Sequence, residues 1–277
     1  MSVDIGKYNN LEVIKILDFG IYLNGYEWGE ILMPRQYVPT GTKIGDAIDC
    51  FIYYDSEDRI IATTLKPIAT VGEFAVLRAI SVNNAGAFLD WGLPKDLLVP
   101  YGEQKSRMQV DKFYVVYIYV DSLTKRIVAS SKIEKFISTE KPQYNEGQEV
   151  SIIIYQKTDI GYKAIINQKN VGVIHFSDVF KNIKIGDKLI GYIKSIKEDF
   201  KINLVLQKPG YKAIDNTSQK ILDYIKSNNG FVPFTDKTPA DIIYNEFGIS
   251  KKTFKKSVGF LYKKRLIAIE KNGLKLT

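Results

Sequence analysis

Through its first two hundred residues the chain alternates apolar and polar positions with the period of two that marks half-buried strands, punctuated by Gly, Pro, Asn and Asp turns. Asp159 to Val179, DIGYKAIINQKNVGVIHFSDV, is the clearest stretch. An apolar strand broken by Gly161 runs to a polar turn at Asn167 to Asn170, and a second strand ends in His175, Phe176, Ser177 and Asp178. Two earlier stretches follow the same order. Asp18-Phe19-Gly20-Ile21-Tyr22-Leu23 leads to Glu30-Ile31-Leu32-Met33-Pro34, and Asn84-Ala85-Gly86-Ala87-Phe88-Leu89 leads to Asp96-Leu97-Leu98-Val99-Pro100. Further on, Lys43-Ile44-Gly45-Asp46 recurs as Lys184-Ile185-Gly186-Asp187, and the run Ile52 to Thr63 answers Ile118 to Ser130. Self-similarity at roughly 65 to 75 residues, longer than a solenoid unit, predicts three tandem β modules. They fall at 1–67, 72–141 and 146–210, with Lys66 to Val71 and Ser138 to Asn145 as linkers and Pro209-Gly210 closing the third. Glycine at 20, 86 and 161 lets a strand bend or bulge. Phe113 to Val120 is nearly continuous in apolar and aromatic residues, which predicts cover on both faces, one of them from a neighbouring module.

Beyond Gly210 the period lengthens to that of helices. Ser218 is placed to cap a helix carrying Ile221, Leu222 and Ile225 and ending by Gly230. Thr238-Pro239-Ala240-Asp241 supplies an acceptor, a proline and an early acid for a second helix, which presents Ile242, Ile243 and Phe247 and stops at Gly248. Ser250 caps a third, whose Phe254, Val258, Leu261 and Tyr262 form one core-facing stripe. Asn272-Gly273 suits a type I′ hairpin between Leu266 to Glu270 and Leu274 to Leu276. Three helices and a hairpin predict a winged helix-turn-helix over 215–277. The fold expected is mainly β and multidomain: three five-stranded barrels and a C-terminal winged helix.

Composition adds charge to this picture. The net charge of +8 favours polyanionic partners. From Asp215 onward twelve Lys and Arg face six acids, a balance of +6, so most of the excess lies in the helical region. On the third helix Lys252, Lys256 and Lys263 occupy a narrow sector opposite the apolar stripe, with Lys255 on its flank. Such a face positions phosphates. The helix has no Arg, Asn or Gln, the usual base readers, so backbone binding with little sequence readout is expected. Cys50 is the single cysteine, which excludes an intramolecular disulfide and a cysteine metal cluster and points to a reducing cytoplasm. MSVDIGKYNN carries no basic start followed by an apolar run, and no apolar segment approaches the ~20 residues of a membrane span; a soluble, unprocessed protein without a membrane partner is expected. One histidine and no convincing carboxylate constellation argue against an enzyme, a metal or a cofactor. Asp55, Glu57 and Asp58 share one turn and read as solvated acids rather than a metal cluster.

The recurring glycine-broken hairpin is similar to the S-one type RNA-binding domain, a five-stranded OB barrel. That resemblance implies stacking aromatics at Phe19 and Tyr22 in the first module and at Phe88 in the second, where Ala85 stands in the other position. In the third, Ile160 and Lys163 occupy those positions with Tyr162 between them. The motif's histidine is matched by His175 alone, since Pro34 and Pro100 replace it elsewhere. Its later acid and base find counterparts in Asp55 with Arg59, Asp121 with Arg126 and, more loosely, Glu198 with Lys201. Each stacked base in such a fold is worth ~1 to 3 kcal/mol. No module has the whole set, so the modules are expected to act together through effective concentration. Trp28 and Trp91 near the first hairpin of their modules are readable either as partner-inserting residues or as packing onto an adjacent module.

Three such modules followed by a winged helix, with Glu-Ile-Leu-Met-Pro and Asp-Leu-Leu-Val-Pro in the first two, resemble the bacterial conserved virulence factor B family. The resemblance implies a cytoplasmic, cofactor-free protein that binds single-stranded RNA and influences gene expression after transcription, with the ribosome or RNA-processing machinery as its setting. The competing reading is a DNA-binding regulator led by the winged helix, its barrels an interaction arm; a third is an RNA-processing enzyme or nuclease subunit.

Overall fold

The computed structural model describes residues 2–179, 182–207 and 216–277. The chain divides into two compact units, 1–206 and 207–277. Three closed five-stranded barrels make up the first. Strands β1 (Tyr8–Leu17), β2 (Gly20–Asn24), β3 (Glu30–Pro34), β4 (Ala47–Tyr54) and β5 (Ile60–Thr63) form one. The second uses β6 (Phe74–Asn83), β7 (Gly86–Asp90), β8 (Leu97–Pro100), β9 (Phe113–Val120) and β10 (Ile127–Ser130). The third uses β11 (Glu149–Lys157), β12 (Gly161–Ile166), β13 (Asn170–His175), β14 (Lys188–Ile196) and β15 (Ile202–Val205). Each barrel closes in the same order, first, second, third, fifth and fourth strand, with the third and fifth parallel.

Alternation explains each barrel's interior. In the first, Ile21, Leu23, Ile31, Met33, Cys50 and Ile52 point inward at every second position. Burial, with Asp49 adding to it, pushes the Cys50 thiol up to about 12, so the residue behaves as a small apolar group. The first strand of every barrel carries a bulge, between Val13 and Lys15, Ala79 and Ser81, and Ile154 and Gln156, which bends it around the barrel. The repeated glycine has a specific cause. Gly20, Gly86 and Gly161 open the second strand at φ +159°, +153° and +159°, where a Cβ would run into the carbonyl oxygen of Met33, Val99 and Ile174 on the third strand.

The barrels are docked, not strung. Phe51, Tyr53 and Ile61 of the first share one core with Trp91, Leu93 and Leu97 of the second. The Trp91 ring sits edge-on to Phe51 and Tyr53 at centroid distances of 5.8 and 6.5 Å. Trp91 is therefore a packing residue and not one that inserts into a partner, whereas Trp28 stays exposed. Between the second and third barrels, Phe74, Val115 and Ile133 meet Ile153, Tyr155 and Ile165. Here the Gln168 amide clamps the backbone of Phe74, accepting from its N–H at 2.6 Å and donating to its carbonyl at 3.0 Å. This contact accounts for the apolar run in β9: Val116 and Ile118 face their own core, while Val115 and Tyr117 face the third barrel. Phe113 departs from the expected cover and is 64% exposed. The stretch between the first two barrels is packed as well, with Ala69 buried, the Ile68 N–H donating to the Trp91 carbonyl and the Val71 N–H to that of Gly6.

In the second unit α1 (Asn216–Ser227), α2 (Ala240–Phe247) and α3 (Lys251–Lys263) pack with β16 (Phe231–Val232), β17 (Ile267–Glu270) and β18 (Gly273–Leu276), the sheet order being β16-β18-β17. Ile221, Ile225, Ile243, Phe254 and Leu261 are at its core. Gly248 ends α2 in the left-handed conformation, φ 68°, and the Ser250 hydroxyl accepts from the Thr253 N–H at 3.2 Å, as the sequence predicts. Four local expectations are corrected. Ser218 lies buried within the first turn of α1 instead of preceding it. The Thr238 hydroxyl closes a turn by accepting from the Thr235 N–H, so α2 starts without a side-chain cap. Ile242 and Tyr262, assigned to apolar faces, are exposed because each sits one position away from the residue that meets the core, Ile243 and Leu261. The hairpin is not type I′: Glu270 pairs with Gly273, the loop is Lys271 and Asn272, and neither has positive φ. Gly273 is needed instead for close approach, since a Cβ there would strike the Val232 carbonyl and the Phe231 ring. The expected closing pair Pro209-Gly210 lies outside the described residues. Among those residues no helix is long and apolar enough to cross a membrane.

Candidate nucleic-acid interface

Strand register sets one row of outward side chains in each barrel. In the first it is Lys15, Tyr22, Leu32 and Ile61; in the second Ser81, Phe88, Leu98 and Val128; in the third Gln156, Lys163, Val173 and Asn203. The predicted aromatics Tyr22 and Phe88 and the cation Lys163 thus hold one structural position three times over.

The first row is open only at its Lys15 end: Tyr22 and Leu32 are half-buried, and Ile61 is buried against the second barrel. Phe19, 57% exposed on the β1–β2 turn, stands edge-on to Tyr22 at 6.3 Å and 89°. Lys15 lies over the Tyr22 ring at 5.4 Å. The Phe19 carbonyl accepts from the Arg35 N–H at 2.9 Å, which ties the backbone after β3, where the exposed Arg35 sits, to the β1–β2 turn. Lys15 and Arg35 were absent from the sequence prediction; the pairing of β1 with β2 selects the first, and the turn after β3 the second. Arg59 is not part of this group. It sits in the β4–β5 turn, in ion pairs with Asp55 at 2.7 Å and Glu57 at 2.9 Å. Although burial opposes it, donation from Arg59 and from the Glu57 N–H holds the Asp55 carboxyl below its ordinary value.

In the second barrel the same row is roofed. The β4–β5 turn of the first barrel lies against it, leaving a pocket of about 300 Å³ bounded by Phe88, Leu98 and Val128 on one side and Tyr54 and Asp58 on the other. Asp58 accepts from Arg126 and from Lys95, the latter at 2.9 Å, and Lys95 also donates to the Asp55 carbonyl. Arg126 is therefore a latch between barrels; Asp121, its counterpart in the motif, instead accepts from the N–H groups of Leu123 and Thr124.

The third barrel's row is polar. Lys163 lies 3.9 Å from the Glu134 carboxylate. His175, half-buried at the end of β13, has Nε2 3.1 Å from Asn203 Oδ1, and Asn203 Nδ2 donates to Ser195 Oγ at 3.0 Å. Tyr162 belongs to the alternate set of β12 and reaches the barrel's end, edge-on to Phe176 at 5.6 Å with Lys157 over both rings. Phe176 was also missed. Lys201 stands apart, paired with Asp199 at 2.6 Å in the β14–β15 turn. In the second unit Lys252, Lys255, Lys256 and Lys263 are all exposed on α3, and none has a carboxylate within ion-pair distance among the described residues. No group of three or more His, Cys, Asp or Glu among the described residues is placed to hold a metal.

Comparison with known proteins fits this arrangement. An S1 domain matches residues 5–65, the first barrel, and a CvfB-like winged helix domain matches residues 219–276. Conserved virulence factor B of Staphylococcus epidermidis is 24% identical across 99% of this chain and 95% of its own length. The chain is related to the conserved virulence factor B proteins. Uncharacterized protein YitL of Bacillus subtilis is 28% identical across 95% of this chain and 90% of its own. A crystal structure of a multidomain protein with nucleic acid binding domains from Streptococcus pneumoniae is 26% identical, covering 99% of this chain and 98% of that one, with a TM-score of 0.46. S1 and winged helix domains together point to nucleic acid as the partner.

Proposed function

We propose that the protein is a non-enzymatic binder of single-stranded RNA that acts on gene expression after transcription in the cytoplasm. The observation that carries this is the pair Phe19 and Tyr22 on the first barrel, beside Lys15. An exposed ring next to a half-buried one with a lysine over it suits unpaired bases, whose faces are free to stack, and is of little use against a duplex, whose faces are already stacked. His175 and Lys163 of the third barrel add polar contacts, and the α3 lysines add phosphate contacts without base readout. Fluorescence anisotropy of the full chain with labelled single-stranded RNA, competed by duplex DNA across a salt series, tests the reading. RNA competes best and log affinity falls by ~0.7 per neutralised phosphate for each tenfold rise in salt. Preference for duplex DNA would overturn it in favour of a regulator led by the winged helix.

A further inference from the structure

The roofed pocket over Phe88 contains carboxylates in two different states. Asp58 is engaged by Lys95 and Arg126. Asp96, half-buried on the pocket wall, receives no hydrogen bond or ion pair from any described residue. Burial first, and the neighbouring Asp90 second, raise its pKa above the ordinary carboxylate value. The Asp96 oxygens remain accessible rather than sealed, so the donor that the protein does not supply can come from a ligand entering the pocket. The volume, about 300 Å³, is at the small end of ligand pockets, which run from about 300 to 1,000 Å³. One ring system fits, and a run of stacked bases does not. An aromatic face with an unpaired acceptor near it supplies both parts of base recognition, stacking for the ring and hydrogen bonding for its edge.

We propose that this pocket takes a single nucleobase bearing an exocyclic amino group, its ring on Phe88 and its amino edge on Asp96. The proposal rests on the nucleic-acid reading given above and adds selectivity to it. Cytosine, adenine and guanine offer amino donors to a carboxylate. Uracil flanks its single N–H with carbonyl oxygens, which the carboxylate repels. The base of an RNA strand and that of a free nucleotide share this chemistry.

Trp91, one of two tryptophans in the chain, lines the pocket and serves as its reporter. In the full chain carrying Trp28→Phe, Trp91 fluorescence is followed during titration with short oligocytidine and oligouridine, and with CMP and UMP, while anisotropy reports total binding. Oligocytidine is expected to quench Trp91 at concentrations where oligouridine, though bound, does not. Asp96→Asn is expected to cut the cytidine-over-uridine preference by about 5- to 150-fold. Phe88→Leu keeps an apolar floor without the ring, and is expected to lose the quenching. Quenching by CMP as tight as that by oligocytidine identifies a free nucleotide as the ligand; weaker quenching identifies the RNA strand. Equal quenching by cytidine and uridine strands, an unchanged preference in Asp96→Asn, or no quenching while anisotropy reports bound RNA overturns the pocket and leaves RNA binding intact. If no RNA changes the anisotropy, both readings fall.

Discussion

The first and second barrels present the same row of outward residues on the same strands, and Tyr22 and Phe88 are both half-buried, yet Tyr22 stands beside Lys15 and the exposed Phe19 while Phe88 faces the first barrel's β4–β5 turn across a pocket. The difference arises from docking. Tyr53 and Ile61, outward residues of the first barrel, are buried against the second, and the turn between their strands reaches over Phe88. A tandem repeat therefore need not repeat its binding surface, because each module can cover part of the next. The first barrel is left with the Phe19–Tyr22 pair beside Lys15, the second with a partly covered pocket over Phe88, and the third with a polar face built on Lys163, His175 and Asn203.

Breaking the docking gives the largest expected effect. Trp91→Ala removes the ring that fills the seam, and a loss of ~3 to 5 kcal/mol is expected in urea unfolding of the full chain; a loss below ~1 kcal/mol would mean that the roof is held by something else. Next come the stacking residues. Tyr22→Ala is expected to weaken all single-stranded RNA by ~1 to 3 kcal/mol, whereas Phe88→Ala affects only strands that can fill the pocket. Equal losses for every strand in both variants would erase the distinction between platform and pocket.

A smaller effect concerns the Asp58 latch. The hydrogen bond from Lys95, with the charges of Lys95 and Arg126, holds the Asp58 carboxyl below its ordinary value of 3.8. Because the folded state favours the ionised form, the latch contributes fully above pH 3.8 and is lost as pH falls through the lower folded value. Trp91 fluorescence is expected to hold steady down to that range and then change, with Asp58→Asn removing the acid step. The smallest change is expected from α3: Lys252→Gln and Lys256→Gln should each flatten the salt slope by about 0.7 per lost phosphate contact, equally for every RNA sequence.

Much of the binding row could be read in the sequence because strand alternation is a local property. Phe19, Tyr22 and Phe88 are placed by the same glycine-broken hairpin wherever it occurs. Lys15 and Arg35 escaped notice because each is tied to the patch through pairing or a turn contact with another strand. Of the acid and base pairs that the motif implies, Arg59 keeps Asp55, but Arg126 pairs with Asp58 of the first barrel in place of Asp121, and Lys201 with Asp199 in place of Glu198. In the winged helix, small errors came from ends and faces: Thr238 bonds within its own turn, and the core accepts Ile243 and Leu261 in preference to Ile242 and Tyr262.

By itself the sequence determined the three barrels and the winged helix, since period, turn chemistry and the close approach at Gly20, Gly86 and Gly161 all act within a few residues or across one hairpin. Only the tertiary structure decided which neighbours each copy of the outward row meets. That choice depends on Phe51, Tyr53 and Ile61 meeting Trp91, and on Asp58 meeting Lys95 and Arg126, contacts between residues about 30 to 70 positions apart that leave no local periodicity to read.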